Sequence, residues 1–301
     1  MGMRKAKVVW MDGKFVKWQD AKVHILTHAL HYGSSVFEGV HSYKTDKGAA
    51  LFRLNNHIDR FFRSANALSM KINFTKKELI DAIKELVKKN KIGDGYIRPL
   101  AYYGYGNVGI FPKDIPAKVA LVAIPWGKYY SKSLRIMTSK FTRHSEKSTV
   151  FGTKISGNYA NSILAMYEAR QKGYDEALML DHEGYVAEGP AENIFIVKNK
   201  VLMTPGSKSA LYGLTRNSIL EISKGFRIKA YEKKISLNAV KNADEVFFCG
   251  TATEIAPVVE VDNKKIGNGK PGKITLMIME KYMNIVSGKD EKYGKWLTYV
   301  N

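Results

Sequence analysis

Cysteine is nearly absent: Cys249 is the only one in 301 residues. That excludes an internal disulfide and any multi-cysteine metal site, and no metal is expected. Long apolar runs are missing too. The longest, about Val119–Trp126, falls far short of the roughly 20 residues that cross a bilayer. The opening MGMRKAKVVWMDGKF holds too few apolar side chains for a secretory signal, so a soluble, cytoplasmic protein is expected. There is no internal repeat and no low-complexity tract. Acidic side chains are the scarce charge, with 28 Asp and Glu against 48 Lys and Arg, a net charge of +20. Such an excess raises a nucleic-acid-binding reading. Polyanion binders concentrate their cations, however, whereas these are spread along the chain. The densest cluster, KELVKKNK at Lys84–Lys91, reads as the wet face and C-terminal end of an amphipathic helix, where cations complement the helix dipole.

What is present suits packed interiors: 45% hydrophobic and 11% aromatic residues in a chain long enough for two domains. Two short β-runs flank Asp12-Gly13, a hairpin signal. Leu54–Ala67 predicts a helix with Leu54, Ile58, Phe61 and Ala65 on one face and Asn55 or Asn56 as cap. A second helix is predicted over Lys76–Lys89, followed by strands at YIRPLAYYG and KVALVAIPW. The second half predicts a strand at RIMTSKFTRH, a helix over Tyr159–Lys172, β-runs at EALMLD, GYVAEG, NIFIVK and VLMTP, and a helix over Arg216–Lys224. Strands in DEVFFCGTATEIAPVVEVD and a last helix over Ile274–Ser287 complete the chain. Helices in blocks between antiparallel hairpins imply an α+β protein and not alternating βαβ units. The expected division is a small N-terminal domain over 1–125, a linker over 126–134 (WGKYYSKSL) and a larger domain over 135–301.

Gly104–Gly109 spells GYGNVG, the letters of a dinucleotide fingerprint. That motif works only where the last glycine opens a helix toward the pyrophosphate. Here Pro112 and Pro116 follow, so a surface loop is expected instead.

Lys154 ends a short β-prone run just before Ser-Gly-Asn-Tyr. A nucleophilic lysine needs burial or a neighbouring cation to lower its pKa, but alone Lys154 reads equally as a snorkelling surface residue. Glu188 and Glu192, in EGPAEN, alone read as turn acids. The Gly213–Thr215 stretch before a helix leaves backbone N–H groups for an anion, or makes Thr215 a plain N-cap. CGTATE at Cys249–Glu254 is a second turn suited to anion contacts. A lysine, an acid and two anion-binding turns together would suit pyridoxal 5′-phosphate.

From Glu188 to Arg216 the chain resembles the signature of class IV aminotransferases: Glu188 and Asn193, then Ile194-Phe195, Leu202-x-Thr204, and Leu211-x-Gly213-Leu214-x-Arg216. Pro190 departs from it, standing where the pattern has a small residue. HALHYGSSVFEG, YIRPL, IPWG, KISGNY, GLTR and GTATEIAPV are similar to segments of branched-chain amino acid aminotransferases, in order over most of the chain.

The resemblance implies a two-domain, fold type IV enzyme, with a small N-terminal α/β sandwich and a larger C-terminal pseudo-barrel with helices. It implies pyridoxal phosphate as cofactor, held by Arg60, Lys154, Tyr159, Glu188, Leu214, Thr215 and Thr251. Lys154 would bond the aldehyde carbon and shuttle the substrate's proton, Glu188 would pair with the pyridine nitrogen, and Glu192 would act as support. The substrate α-carboxylate would fall to Tyr96 with the Thr251 and Ala252 amides. Tyr32, Phe37, Gly39, Trp126, Tyr129 and Tyr159 would wall the side-chain pocket, with Arg98 and the Tyr32 hydroxyl taking glutamate's distal carboxylate. Val108, at the tip of the GYGNVG loop, would reach the other subunit's site, so a homodimer is implied. The implied reaction is transfer of the amino group of leucine, isoleucine or valine to 2-oxoglutarate. Alternatives are a D-amino acid or (R)-amine transaminase or an aminodeoxychorismate lyase on the same fold and, from another class, a basic nucleic-acid-binding protein. His41 stands where most branched-chain members carry Arg or Lys. It implies either a weaker hold on 2-oxoglutarate or a histidine that faces solvent.

Overall fold

The Asp12-Gly13 hairpin forms as its residues dictate. Asp12 and Gly13 both take positive φ, 46° and 91°, the conformation that lets a two-residue turn follow the strand twist. Strands β1 (Val8–Met11) and β2 (Lys14–Lys17) pair across it with Met11 opposite Lys14. The structure is a computed structural model that describes residues 5–127, 133–206, 208 and 210–300. It divides into two compact units: Met1–Gly127 with Thr153–Gly157 and Asn284–Asn301, and Lys128–Gly152 with Asn158–Met283.

In the first unit a short helix α1 (His28–Tyr32) precedes β3 (Ser35–Phe37), β4 (Val40–Thr45) and β5 (Gly48–Phe52). Helices α2 (Leu54–Ala67) and α3 (Lys76–Lys89) follow, then the long strands β6 (Gly95–Tyr103) and β7 (Ala117–Pro125). The two helices bury Leu54, Ile58, Phe61, Leu79, Ile83 and Leu86 in one core with Leu51, Ile97 and Leu121 of the sheet. Each such side chain removed from water contributes about 1.5–3 kcal/mol.

α3 begins with a capping box. The Thr75 hydroxyl accepts from the Glu78 N–H at 3.2 Å, and the Glu78 carboxylate accepts from the Thr75 N–H at 2.7 Å. α2 differs from expectation at its start. Its cap is Arg53 in the left-handed region, φ 55°, without a side-chain cap bond. The chain passes from β5 into the helix in one residue, so Asn55 and Asn56 already lie inside the first turn.

The second unit contains β8 (Leu134–Thr138), α4 (Tyr159–Gln171), β9 (Glu176–Leu180), β10 (Val186–Glu188), β11 (Asn193–Lys198) and β12 (Val201–Pro205). Then come α5 (Leu214–Gly225), β13 (Ala230–Lys233), α6 (Leu237–Lys241), β14 (Glu245–Gly250), β15 (Glu254–Val261), β16 (Lys264–Lys265) and α7 (Lys273–Val286). The strand order is β10-β9-β8-β15-β14-β11-β12-β13, with β16 beside β15. The protein is α+β as expected, but β8 runs parallel to β9 and β15, and β12 runs parallel to β13. Thus β8-α4-β9 and β12-α5-β13 are local crossovers that hairpin counting does not reveal. The strand expected over RIMTSKFTRH stops at Thr138.

Two segments of the later chain belong with the first unit. The last strand, β17 (Leu297–Tyr299), pairs with β5, with Leu297 opposite Phe52. The first sheet therefore runs β17-β5-β4-β6-β7-β1-β2, with β3 also beside β6, and every pairing is antiparallel. Residues 153–157 lie along β3, with Ile155 bridged to Val36. A single changeover at 126–134 therefore does not describe the division, because backbone pairing returns both segments to the first sheet. Residues 128–132 of that expected linker lie outside the described residues.

Candidate active site

Lys154 is held by its backbone. Its carbonyl accepts from the Phe37 N–H at 3.1 Å, and its N–H donates to the Ser64 hydroxyl at 3.0 Å. The half-buried side chain brings Nζ over the Phe37 ring, 4.4 Å from the centroid. Arg98 also lies over Phe37, at 4.7 Å, and its Nη2 donates to the Tyr96 hydroxyl at 3.3 Å. Tyr96 and Arg98 are two apart on β6 and so share a face. The Tyr96 ring packs 5.3 Å from Trp126. Gly39 is required here because a Cβ would stand 1.8 Å from the Tyr96 hydroxyl oxygen. Phe37, Gly39, Tyr96, Arg98, Trp126 and Lys154 thus form one cluster in the first unit.

Below that cluster lies a buried ionic group. Glu38 accepts from Arg60 Nε at 2.6 Å and Nη2 at 3.0 Å, and its Oε2 is 2.7 Å from His57 Nδ1. All three residues are at most 3% exposed. Burial alone would raise the Glu38 carboxyl, but the Arg60 guanidinium and then His57 overcome it and hold it well below the usual range. Burial lowers His57, Glu38 pulls the other way, and Arg60 and Lys154 add repulsion, with a net fall. The ring is therefore neutral at neutral pH, and its Nδ1–H donates to a carboxylate. Sequence reasoning gives Glu38 and His57 no role. The only signal is an acid within the apolar SVFEGV.

His41 does not face solvent. It is 6% exposed and stacks on Tyr43 with centroids 4.2 Å apart, on the strand that places it opposite Tyr96. The Tyr32 hydroxyl donates to the Val108 carbonyl at 2.6 Å. Tyr32 and Val108 are exposed, along with Ile25, Leu30, Ile110 and Phe111. No helix opens after Gly109, so the dinucleotide fingerprint is coincidental. Tyr129 lies outside the described residues.

In the second unit, Glu188 ends β10, buried and with partners on both carboxylate oxygens. One oxygen lies 2.8 Å from Arg143 Nη2, and the other accepts from Asn193 Nδ2 at 3.1 Å and the Leu211 N–H at 3.0 Å. Asn193 Nδ2 also donates to the Leu211 carbonyl at 2.7 Å, so the Glu-to-Asn spacing of the signature has a physical purpose: the amide fastens the carboxylate to the turn before α5. That turn must have glycine, because a Cβ on Gly213 would lie 2.0 Å from Asn193 Oδ1. Arg143, which also donates to Ser162 at 2.9 Å, has no distinguishing mark in the sequence among so many basic residues.

α5 starts at Leu214, two residues earlier than expected, with Gly213 as its cap and no side-chain cap bond. Thr215 is thus inside the first turn, and the helix start keeps its backbone donors for an anion. Thr251 and Ala252 lie in the turn from β14 to β15. Glu192 supports that turn, accepting from the Thr253 hydroxyl at 3.1 Å and the Ala191 N–H at 3.0 Å. Burial, then the Glu176 carboxylate, push Glu192 up to about 8. Tyr159 is the first residue of α4 and is half-buried. Among the described residues no helix is long and apolar enough to cross a membrane.

The family model for class IV amino-transferases matches residues 35–261. The branched-chain-amino-acid aminotransferase of Pseudomonas aeruginosa is 44% identical to the chain over 298 residues, 97% of each. The enzyme of that name from Escherichia coli K12 is 38% identical, covering 100% of both chains. A solved structure of the branched-chain amino acid aminotransferase from Thermobaculum terrenum, in its PLP-bound holo form, matches with a TM-score of 0.94 and 32% identity over 99% of each chain.

Proposed function

This chain belongs to the class IV aminotransferases, and we infer from that membership that it is a branched-chain amino acid aminotransferase. It transfers the amino group of leucine, isoleucine or valine to 2-oxoglutarate, giving the 2-oxo acid and L-glutamate. Its cofactor is pyridoxal 5′-phosphate, which when bound supplies the electron sink that makes the amino acid's α-hydrogen removable. The donor set fits that group. Lys154 offers an amine, the buried Glu188 a carboxylate for a pyridinium N–H, and the α5 start, uncapped by any side chain, offers N–H groups for a phosphate.

Lys154 would hold the cofactor through its side-chain amine and would then serve as the base that moves the substrate's α-proton. Glu188 would pair with the pyridine nitrogen, and the Arg143 guanidinium and Asn193 amide keep that carboxylate oriented. Arg60, the Leu214 and Thr215 N–H groups and Thr251 would hold the phosphate, and Tyr159 would serve the phenolic oxygen. Tyr96 with the Thr251 and Ala252 amides orients the α-carboxylate. Phe37, Gly39, Trp126 and Tyr129 present an apolar wall to the side chain, while Arg98 takes the distal carboxylate of glutamate. The working unit is a homodimer in the cytoplasm, with Tyr32 and Val108 completing the site of the second copy. The exposed run of Ile25, Leu30, Val108, Ile110 and Phe111, each at least 59% exposed, is the kind of apolar patch that marks association.

The observation that carries this reading is a lysine fixed at both backbone groups beside Phe37, in a chain with full-length branched-chain relatives. Lys154→Ala should fold normally by circular dichroism yet lose transamination by about 1000-fold or more. Turnover near wild type would overturn the mechanism. A panel of L- and D-donors against 2-oxoglutarate should show the L-branched-chain acids as best, and a D-preference would overturn the substrate assignment.

A further inference from the structure

Helix α2 buries two adjacent stripes. Leu54, Ile58, Phe61 and Ala65 form the apolar one, while His57, Arg60 and Ser64 form a second that is polar and equally buried. The polar stripe stays inside because its groups are paired. Ser64 donates to the Arg60 carbonyl at 2.9 Å and accepts from the Lys154 N–H at 3.0 Å, so the lysine's backbone is tied to the turn of helix that carries the arginine. Glu38 is itself placed by its N–H, which donates to the Pro99 carbonyl at 2.9 Å. It then meets Arg60 in a two-toothed fork through Nε and Nη2. Such a fork sets both the plane and the direction of a guanidinium. The neutral His57 ring donates to Oε2 and stops the carboxylate from turning.

From this geometry we propose that Glu38 is a positioning residue that sets Arg60 in place for the cofactor's phosphate before the cofactor arrives. The proposal rests on the reading of Arg60 as a phosphate ligand. An arginine left to itself would lose the freedom of a long side chain on binding. Glu38 removes that loss in advance and accepts the two donors that would otherwise be buried without a partner. The phosphate then meets a guanidinium whose plane and direction Glu38 has already set.

The test separates phosphate recognition from general stability. Dissociation constants for pyridoxamine 5′-phosphate and for pyridoxamine are measured on protein stripped of cofactor, for the wild type, Glu38→Gln and Arg60→Gln. The ratio of the two constants reports the phosphate alone. Glu38→Gln should reduce the preference for the phosphorylated ligand by about 10-fold or more and leave pyridoxamine within about twofold. A reduced preference in Arg60→Gln with none in Glu38→Gln would overturn the role of Glu38 only. An unchanged preference in both would overturn the assignment of Arg60, and the proposal with it. Should Glu38→Gln not fold, Glu38→Asp keeps the charge but withdraws it by one methylene. It should lower the preference about fivefold, and an unchanged ratio there would count equally against the proposal.

Discussion

Glu38 and Glu192 are both buried, at 0% and 3% exposure, yet the protein keeps one ionised and the other protonated. Burial raises both. What separates them is the company each keeps. Glu38 meets a guanidinium at 2.6 Å with a histidine at its second oxygen. Glu192 meets a backbone N–H, a threonine hydroxyl and the repulsion of Glu176 and Glu188. Arg143 is paired with Glu188. The two acids thus differ in whether a cation is enclosed beside them. Here the charged acid orients an arginine, and the neutral one braces the turn from β14 to β15 through the Thr253 hydroxyl.

The comparison breaks most visibly if the cation is removed. Arg60→Leu leaves Glu38 buried without its guanidinium and should lower the unfolding free energy of the cofactor-free protein by about 3–5 kcal/mol. A loss below about 1 kcal/mol in urea unfolding would mean that Arg60 is not what holds Glu38 ionised.

The next largest effect is one of pH, and the two acids act in opposite senses. The folded value of Glu38 lies below its unfolded one, so its contribution is complete above the ordinary glutamate range and is lost as pH falls through and below it. The folded value of Glu192 lies above its unfolded one, so its contribution is complete below that range and erodes as pH rises toward about 8. Glu192→Gln removes the erosion. Relative to wild type it should gain of the order of 2 kcal/mol between pH 5 and pH 8. A parallel pH profile for the two proteins would show that Glu192 is already ionised when folded.

The smallest effect is expected where burial is absent. Lys77 and Asp81 pair at 2.7 Å on the outside of α3, and Lys77→Ala should move the urea unfolding midpoint far less than Arg60→Leu does. A comparable shift would blur the contrast between buried and solvated acids.

Much of this was legible along the chain because the relevant forces act locally. The apolar spacing in LNNHIDRFFRSANA and KKELIDAIKELVKK places α2 and α3 at the residues where they occur, and Asp12-Gly13 makes its hairpin unaided. Phe37, Gly39, Tyr96, Arg98, Trp126 and Lys154, chosen from segments far apart in sequence, do meet. Misreadings arose where a neighbour from elsewhere decides. His41 is covered by Tyr43 stacking in its own sheet, Asn55 and Asn56 lost the cap to an arginine in the left-handed region, and two of the expected helices join parallel strands where no βαβ unit was expected.

By itself, then, the sequence determined the helices, the first hairpin and the inventory of reactive groups, since periodicity and turn chemistry need only a few adjacent residues. Only the tertiary structure decided which acid carries a charge, that Arg60 answers to Glu38 from 22 residues away, and that Arg143 meets Glu188. Those outcomes depend on how much water is excluded and which charges are enclosed together, and neither quantity exists until distant segments have packed.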